Sequence, residues 1–258
     1  MATSVTEPTG FPALTSASRN LDLTRARLLA IWFSVFIVIP ISDHLRNIPL
    51  EPTISNIARR LNFGVDAIHL PPLVLFTDEE RQPEPLSSIA LLPPGSAVLF
   101  RHYGFPARKS LALALRTLCD TRALFFIVSN DVDLALEVAA DGLHLPEYRL
   151  KGPNRDIHKW RQFGEGFLTA AIHSPKALNN ALRLEVDAAF LSPVFISASH
   201  PNKRPLGLMR FIKICNSTRL PIYALGGINE ISAKRLVGSG AVGIAAVGAI
   251  IDQADRKE

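Results

Sequence analysis

From Pro72 onward, short apolar runs of β-forming residues alternate with stretches whose apolar residues recur at helical spacing, and this alternation restricts the fold to repeated βα units. The runs read as strands are Leu73 to Phe76, Ala97 to Phe100, Ala123 to Val128, Asp141 to Leu145, Phe167 to Ile172, Ala188 to Leu191, Ile222 to Leu225 and Ala241 to Val247. Helical period is read over Ala107 to Leu118, Val132 to Ala139, Pro175 to Leu182, Leu208 to Cys215 and Glu230 to Val237. A run such as LFFIV is apolar at every position and needs cover on both faces, which crossover helices supply to parallel sheets. Eight such units in about 187 residues predict a compact α/β fold, a (β/α)8 TIM barrel near the lower end of its size range. An open doubly wound sheet is the alternative. The stretch 78 to 96 is short and proline-rich (QPEPL, LPPGS), so the first barrel helix is expected to be abbreviated.

Residues 1 to 71 lack this alternation and read as an unrelated N-terminal extension, leaving 72 to 258 as the barrel domain. Within the extension, Leu28 to Ser42 carries no charge, but it falls below the roughly 20 residues needed to cross a bilayer and contains Pro40. Membrane contact is therefore the less favoured reading of that segment. The flank SDHLRN also lacks a small-residue cleavage pattern for a signal peptide. A net charge of +5 suits anionic small molecules, and without dense basic clusters it argues against nucleic acid. Cys119 and Cys215 have no CxxC spacing, which points away from a zinc knuckle or disulfide framework and toward a reducing, cytoplasmic setting.

In a barrel of this kind chemistry sits on the loops that follow the strands. Those loops begin with Thr77-Asp78, Arg101-His102-Tyr103, Ser129-Asn130-Asp131, His144 with Glu147 nearby, His173-Ser174, a long segment from Ser192 to Gly207, Gly226-Gly227, and Val247-Gly248. Glycines directly after the seventh strand, ahead of a helix start, let backbone N–H groups approach a phosphate. On local chemistry alone the same GGI is equally a tight turn. With the small-residue run after the eighth strand beside it, a phosphate site becomes the better reading.

These segments carry a resemblance. IVSNDVDLALEVAADGLHL, AAIHS, FLSPVFISASHPNKRPLG, YALGGI and GIAAVGAI, in that order, resemble the thiamine phosphate synthase/TenI family over roughly 180 residues. The family comprises synthases, which join hydroxymethylpyrimidine diphosphate to thiazole phosphate with release of pyrophosphate, and TenI-type tautomerases, which shift a proton on a thiazole carboxylate phosphate. The resemblance implies a diphosphate-binding arginine at Arg101, and Asn130 with Asp131 for the pyrimidine diphosphate and its Mg²⁺. Ser197 and Ser199 stand for two threonines that hold the thiazole phosphate, and Gly226, Gly227, Val247 and Gly248 surround the same phosphate. His173 matches the histidine with which tautomerases move a proton, and its ordinary pKa range suits that task; it equally well hydrogen-bonds neighbouring strand ends.

The departures from the pattern lie mainly on the pyrimidine side. Tyr103 and His200 stand in place of lysines, Ala171 in place of a serine, and Arg149 in place of the second metal carboxylate, although a slip of two residues presents Glu147 instead. Mg²⁺ relies on one or two carboxylates plus substrate phosphates, so weak binding through Asp131 and the substrate's own oxygens is the expectation. Three readings follow: a thiamine phosphate synthase, a thiazole tautomerase, and a non-catalytic binder of thiazole phosphate or thiamine phosphate. The sequence leaves the oligomeric state open.

Overall fold

The computed structural model describes residues 53–63, 65, 69–81, 84–152, 154–197 and 204–247. Leu28 to Ser42, Ser199, His200 and Gly248 lie outside the described residues. Eight parallel strands close on themselves in sequence order: β1 (Leu73–Phe76), β2 (Ala97–Phe100), β3 (Phe125–Ser129), β4 (Gly142–Leu145), β5 (Phe167–Ile172), β6 (Ala188–Leu191), β7 (Ile222–Leu225) and β8 (Gly243–Ala246). Closure is made where Leu73 to Leu75 pair with Ile244 to Ala246. The expected (β/α)8 TIM barrel is therefore the fold.

Alternation along each strand sorts the side chains into two sets. Val74, Phe76, Leu99, Ile127, Phe190, Tyr223 and Ala245 pack together inside the barrel, whereas Leu73, Leu75, Val98, Phe126, Val128 and Leu143 join the helices outside. The interior is filled by rings. Phe190 stacks on Tyr223 at 4.7 Å, and Phe76 meets Phe190 edge-on at 5.0 Å. His144 packs edge-on against both phenylalanines and pairs through Nδ1 with Thr169 Oγ1 at 3.0 Å. Gly243 makes room for this stack, because a Cβ there would come within 2.8 Å of the Tyr223 ring.

Helices α2 (Pro85–Ala90), α3 (Arg108–Thr121), α4 (Val132–Glu137), α5 (Arg155–Phe163), α6 (Pro175–Arg183), α7 (Leu208–Asn216) and α8 (Glu230–Lys234) cross between the strands. Helix α2 spans only 6 residues, in keeping with the proline-rich segment that forms it. Helix α5 was not read in the sequence, because only Ile157 and Trp160 of RDIHKWRQF are buried and the rest is polar. Two aspartates that precede strands fasten their neighbours: Asp141 Oδ2 accepts from Phe126 N–H at 2.8 Å and Asp187 Oδ2 from Leu168 N–H at 2.7 Å. Arg116, drawn down by burial but raised overall by Asp141 and Asp120, neutralises the first of these carboxylates.

The boundary expected at Pro72 needs correction. Helix α1 (Ile54–Phe63) lies in the stretch read as an unrelated extension, yet Ile54, Ile57, Ala58 and Leu61 belong to the main core. It contacts β8, β1 and α8, covering the seam where the barrel closes. Asn62 Nδ2 donates to Leu70 O at 3.2 Å and to Val242 O at 3.1 Å, tying the helix to both sides of that seam. The apolar spacing I-x-x-I-A-x-x-L is helical and was legible; what hid its membership was its distance in sequence from its partners. Among the described residues, no helix is long and apolar enough to cross a membrane.

A substitution separates a core helix from an appendage. Leu61→Ala should cost about 2–4 kcal/mol in denaturant unfolding, the usual loss for a buried leucine, while Phe63→Ala on the exposed side should change stability by less than about 0.5 kcal/mol. Equal, small effects would detach α1 from the folded unit.

Candidate functional site

At the C-terminal mouth of the barrel, the strand ends present two polar corners with a proton-carrying group between them. The first corner is built by β1, β2 and β3. Arg101 Nε donates to Thr77 O at 2.7 Å, Arg101 Nη2 reaches Asp78 Oδ2 at 2.8 Å, and the guanidinium lies 5.5 Å from the Phe76 ring centre. Burial lowers its pKa, against the pull of Asp78, so the charge is held in a partly dehydrated place. Thr77 Oγ1 accepts from Arg101 N–H and pairs with His102 Nδ1, both at 3.0 Å. A cleft of about 270 Å³ opens here, lined by Asp78, Glu79, Glu80, Arg101, His102 and Tyr103. Tyr103, where a lysine was expected, bonds Ser129 Oγ at 2.7 Å, and burial pushes its phenol up from the ordinary value.

Asn130 and Asp131 follow β3 but face different tasks. Asn130 adopts φ 59°, a left-handed conformation that asparagine tolerates better than most residues, and its N–H donates to His144 O at 2.9 Å. Its Oδ1 is buried without a hydrogen-bond partner among the described residues. Asp131 is the N-cap of α4: Oδ1 accepts from Leu134 N–H at 3.0 Å, and Oδ2 is paired with Arg108. Arg108 was not singled out from the sequence. The available signal was a basic residue opening a helix, where the helix dipole disfavours positive charge.

Between the corners stand Glu147 and His173. Glu147 opens the 3-10 turn Glu147–Leu150 after β4 and accepts from Ser174 Oγ at 3.1 Å through Oε1. Its other oxygen is buried without a hydrogen bond and lies 4.0 Å from His173 Nε2. His173 Nδ1 sits 2.8 Å from Ser192 O, a carbonyl that can only accept, so the neutral ring carries its proton on Nδ1 and turns its Nε2 lone pair toward Glu147. Arg149, expected at the position of a metal carboxylate, instead pairs with Asp156 at the start of α5. The two-residue slip is the arrangement that places a carboxylate in the mouth.

The second corner is glycine-built. Gly226 and Gly227, with φ 92° and 67°, turn the chain after β7, and Val247 follows β8 alongside, since Leu225 pairs with Ala245. The segment after β6 is laced onto this turn: Val194 N–H donates to Leu225 O and Phe195 N–H to Gly226 O, both at 3.0 Å. A Cβ on Gly227 would lie 2.2 Å from Ile196 O, so only glycine admits the segment that carries Ser197. Ser232 Oγ, in the capping box of α8, holds Gly227 O at 2.9 Å.

The donor set does not fit a resident divalent cation. Both oxygens of Asp131 are engaged, position 149 offers a guanidinium paired with Asp156 in place of a carboxylate, and among the described residues no three of His, Cys, Asp and Glu converge.

This fold is a (β/α)8 barrel whose mouth carries a glycine corner after β7 and β8 and an arginine corner after β1 to β3. A profile of thiamine monophosphate synthase matches residues 74–250, and the chain belongs to that family. Thiamine-phosphate synthase of Coprothermobacter proteolyticus is 32% identical over 146 residues, which cover 56% of this chain and 67% of that protein. The synthase of Anoxybacillus flavithermus is 35% identical over 143 residues, 54% of this chain and 64% of the relative. Among solved structures, thiamine phosphate pyrophosphorylase from Pyrococcus furiosus superposes with a TM-score of 0.59 at 27% identity, covering 75% of this chain and 89% of its own.

His144 provides a test of the barrel floor beneath this site. Burial first, then the charges of Arg101 and His173, push its pKa from 6.5 to about 3, so unfolding takes up a proton between those values. Stability should fall as pH drops below about 6.5, by up to about 1.4 kcal/mol per pH unit from this one group. Urea unfolding should show a shallower acid loss in His144→Gln than in the unaltered protein; an identical slope would mean that His144 is not held neutral.

Proposed function

We propose that this chain is a transferase that joins hydroxymethylpyrimidine diphosphate to thiazole phosphate, releasing pyrophosphate. The observation that carries the reading is an arginine corner after β1 to β3 and a glycine corner after β7 and β8 in one mouth, in a chain that belongs to the synthase family. The thiazole ring nitrogen attacks the methylene carbon of the pyrimidine; the N–C bond forms as the C–O bond breaks, and its electron pair leaves with the pyrophosphate. Glycine backbone at 226 and 227, with Val247 and Ser197, holds the thiazole phosphate, and Ser199, His200 and Gly248 belong by sequence to the same group. Arg101 holds the diphosphate, with Asp78 and Thr77 keeping the guanidinium from turning. The Asn130 amide takes the polar edge of the pyrimidine end. Fixing both substrates replaces a bimolecular encounter, and a preset positive charge meets the negative charge that develops on the leaving group.

A second reading is favoured by His173 and Glu147. An imidazole whose Nδ1 is held by a carbonyl and whose Nε2 faces a carboxylate is placed to pass a proton, as moving a proton on a thiazole carboxylate phosphate requires.

Incubating the purified protein with both phosphorylated substrates should yield thiamine phosphate detectable by mass spectrometry, and its absence would remove the synthase reading. Arg101→Gln should lower kcat/KM by about 100-fold, the usual scale for losing a preset charge. Gly227→Ala should weaken thiazole phosphate binding in calorimetry by about tenfold or more, since the left-handed turn and its packing are both disturbed. If His173→Gln leaves condensation within about threefold but abolishes thiazole tautomerisation, the second activity is present as well.

A further inference from the structure

We infer that Arg108 is a built-in substitute for a divalent cation at the diphosphate corner, so that this site binds diphosphate without Mg²⁺; the inference rests on the synthase reading above. The hydrogen-bond partners of its guanidinium are all oxygen. Nε donates to His102 O at 3.1 Å, Nη2 to Ser129 O at 3.1 Å and more distantly to Arg101 O at 3.5 Å, and Nη1 is paired with Asp131 Oδ2. Carbonyls from the ends of β2 and β3 plus one carboxylate oxygen are the donors a hard cation takes. Here that cage is filled from within the chain.

Arg108 cannot swing aside cheaply. Its guanidinium lies over the rings of Phe100 at 5.2 Å and Tyr103 at 5.7 Å, and its side chain is only 15% exposed. It also opens helix α3, where the dipole disfavours positive charge, so the oxygen cage is what compensates. An ion approaching Asp131 would have to displace the guanidinium and would find the other oxygen capping α4. The second carboxylate of the mouth, Glu147, sits beside His173 instead.

The charge count sets the consequence. Arg108 with Asp131 is a neutral pair, whereas a divalent ion on the same carboxylate leaves one positive charge over. The guanidinium left to meet the diphosphate at this corner is therefore that of Arg101, which is itself paired with Asp78, and Arg108 acts as a positioning residue that holds the β2 and β3 ends in register beneath it.

Calorimetric titration of the full chain with inorganic pyrophosphate, in excess EDTA and again with Mg²⁺, tests this. The unaltered protein should bind equally in both, within about twofold, and should show no bound Mn²⁺ by electron paramagnetic resonance. In Arg108→Ala, binding in EDTA should fall about tenfold and return with Mg²⁺, because the vacated cage and Asp131 can take the ion; a purely structural role would give no such rescue. Arg101→Gln should lose binding with no Mg²⁺ rescue. Pyrophosphate binding by the unaltered protein only with Mg²⁺, tight Mn²⁺ binding by it, or an Arg108→Ala variant unresponsive to Mg²⁺ would each overturn the inference. Should Arg108→Ala fail to fold, the EDTA titration and the Mn²⁺ measurement on the unaltered protein decide alone. Thiamine phosphate formed only with Mg²⁺ would sink the inference and leave the synthase reading; pyrophosphate bound in EDTA with no product under either condition would sink the reading and leave the metal-free site.

Discussion

Everything at the mouth stands on the filling of the barrel interior. Most strands are only four residues long, so each sends about two side chains inward, and a closed ring of eight such strands must be plugged by a few large groups. Phe76, Phe190, Tyr223 and His144 do this by edge-on and stacked contacts, with Gly243 yielding the space a side chain would take. Tyr223 is further fixed by its hydroxyl, which donates to Pro71 O at 2.7 Å. Because the apolar strands end abruptly above this plug, the next residue already stands at the mouth: Thr77 after Phe76, Arg101 after Phe100, Asn130 after Ser129.

The same closeness explains why the sequence shows which residues follow the strands. Apolar runs ended sharply, so whatever polar residue followed was at the mouth, and Arg101, Asn130, His173, Gly226 and Gly227 were found this way. What was not legible was which polar groups are spent on one another. Asp131 looks the same in a sequence whether it faces a ligand or caps a helix and holds Arg108. Arg149 looks like a missing metal ligand until its partner Asp156, seven positions on, is seen. Pairings of this kind are decided by loop geometry after the 3-10 turn, which no periodicity encodes.

The two corners differ in how they are made. The glycine corner is backbone held by backbone, with the β6 segment hydrogen-bonded along Leu225 and Gly226, so its shape is set by φ angles rather than by charge. The arginine corner is side chain held by side chain and by carbonyls, over aromatic faces. Substitution by polar residues of other lengths is consequently tolerated less at the arginine corner than on the flank of the glycine corner, where changes that spare Gly226 and Gly227 preserve the turn. Neither Cys119 nor Cys215 enters this chemistry: burial raises both thiols to about 12, and they serve as small apolar residues in the core.

Helix α1 has a consequence for how the molecule is made. Its apolar face is answered by β8 and α8, and the bond from Asn62 to Val242 spans 180 positions, so one of the earliest core elements to leave the ribosome finds its place only after nearly the whole barrel has been synthesised. Until then Ile54, Ile57 and Leu61 are exposed on a short helix that cannot persist alone. Strand β1 is in the same position, with one neighbour available early and the other only at the end. Until the last strand is made, closure of the barrel competes with association of these exposed first elements, the general hazard of a fold whose first and last segments must meet.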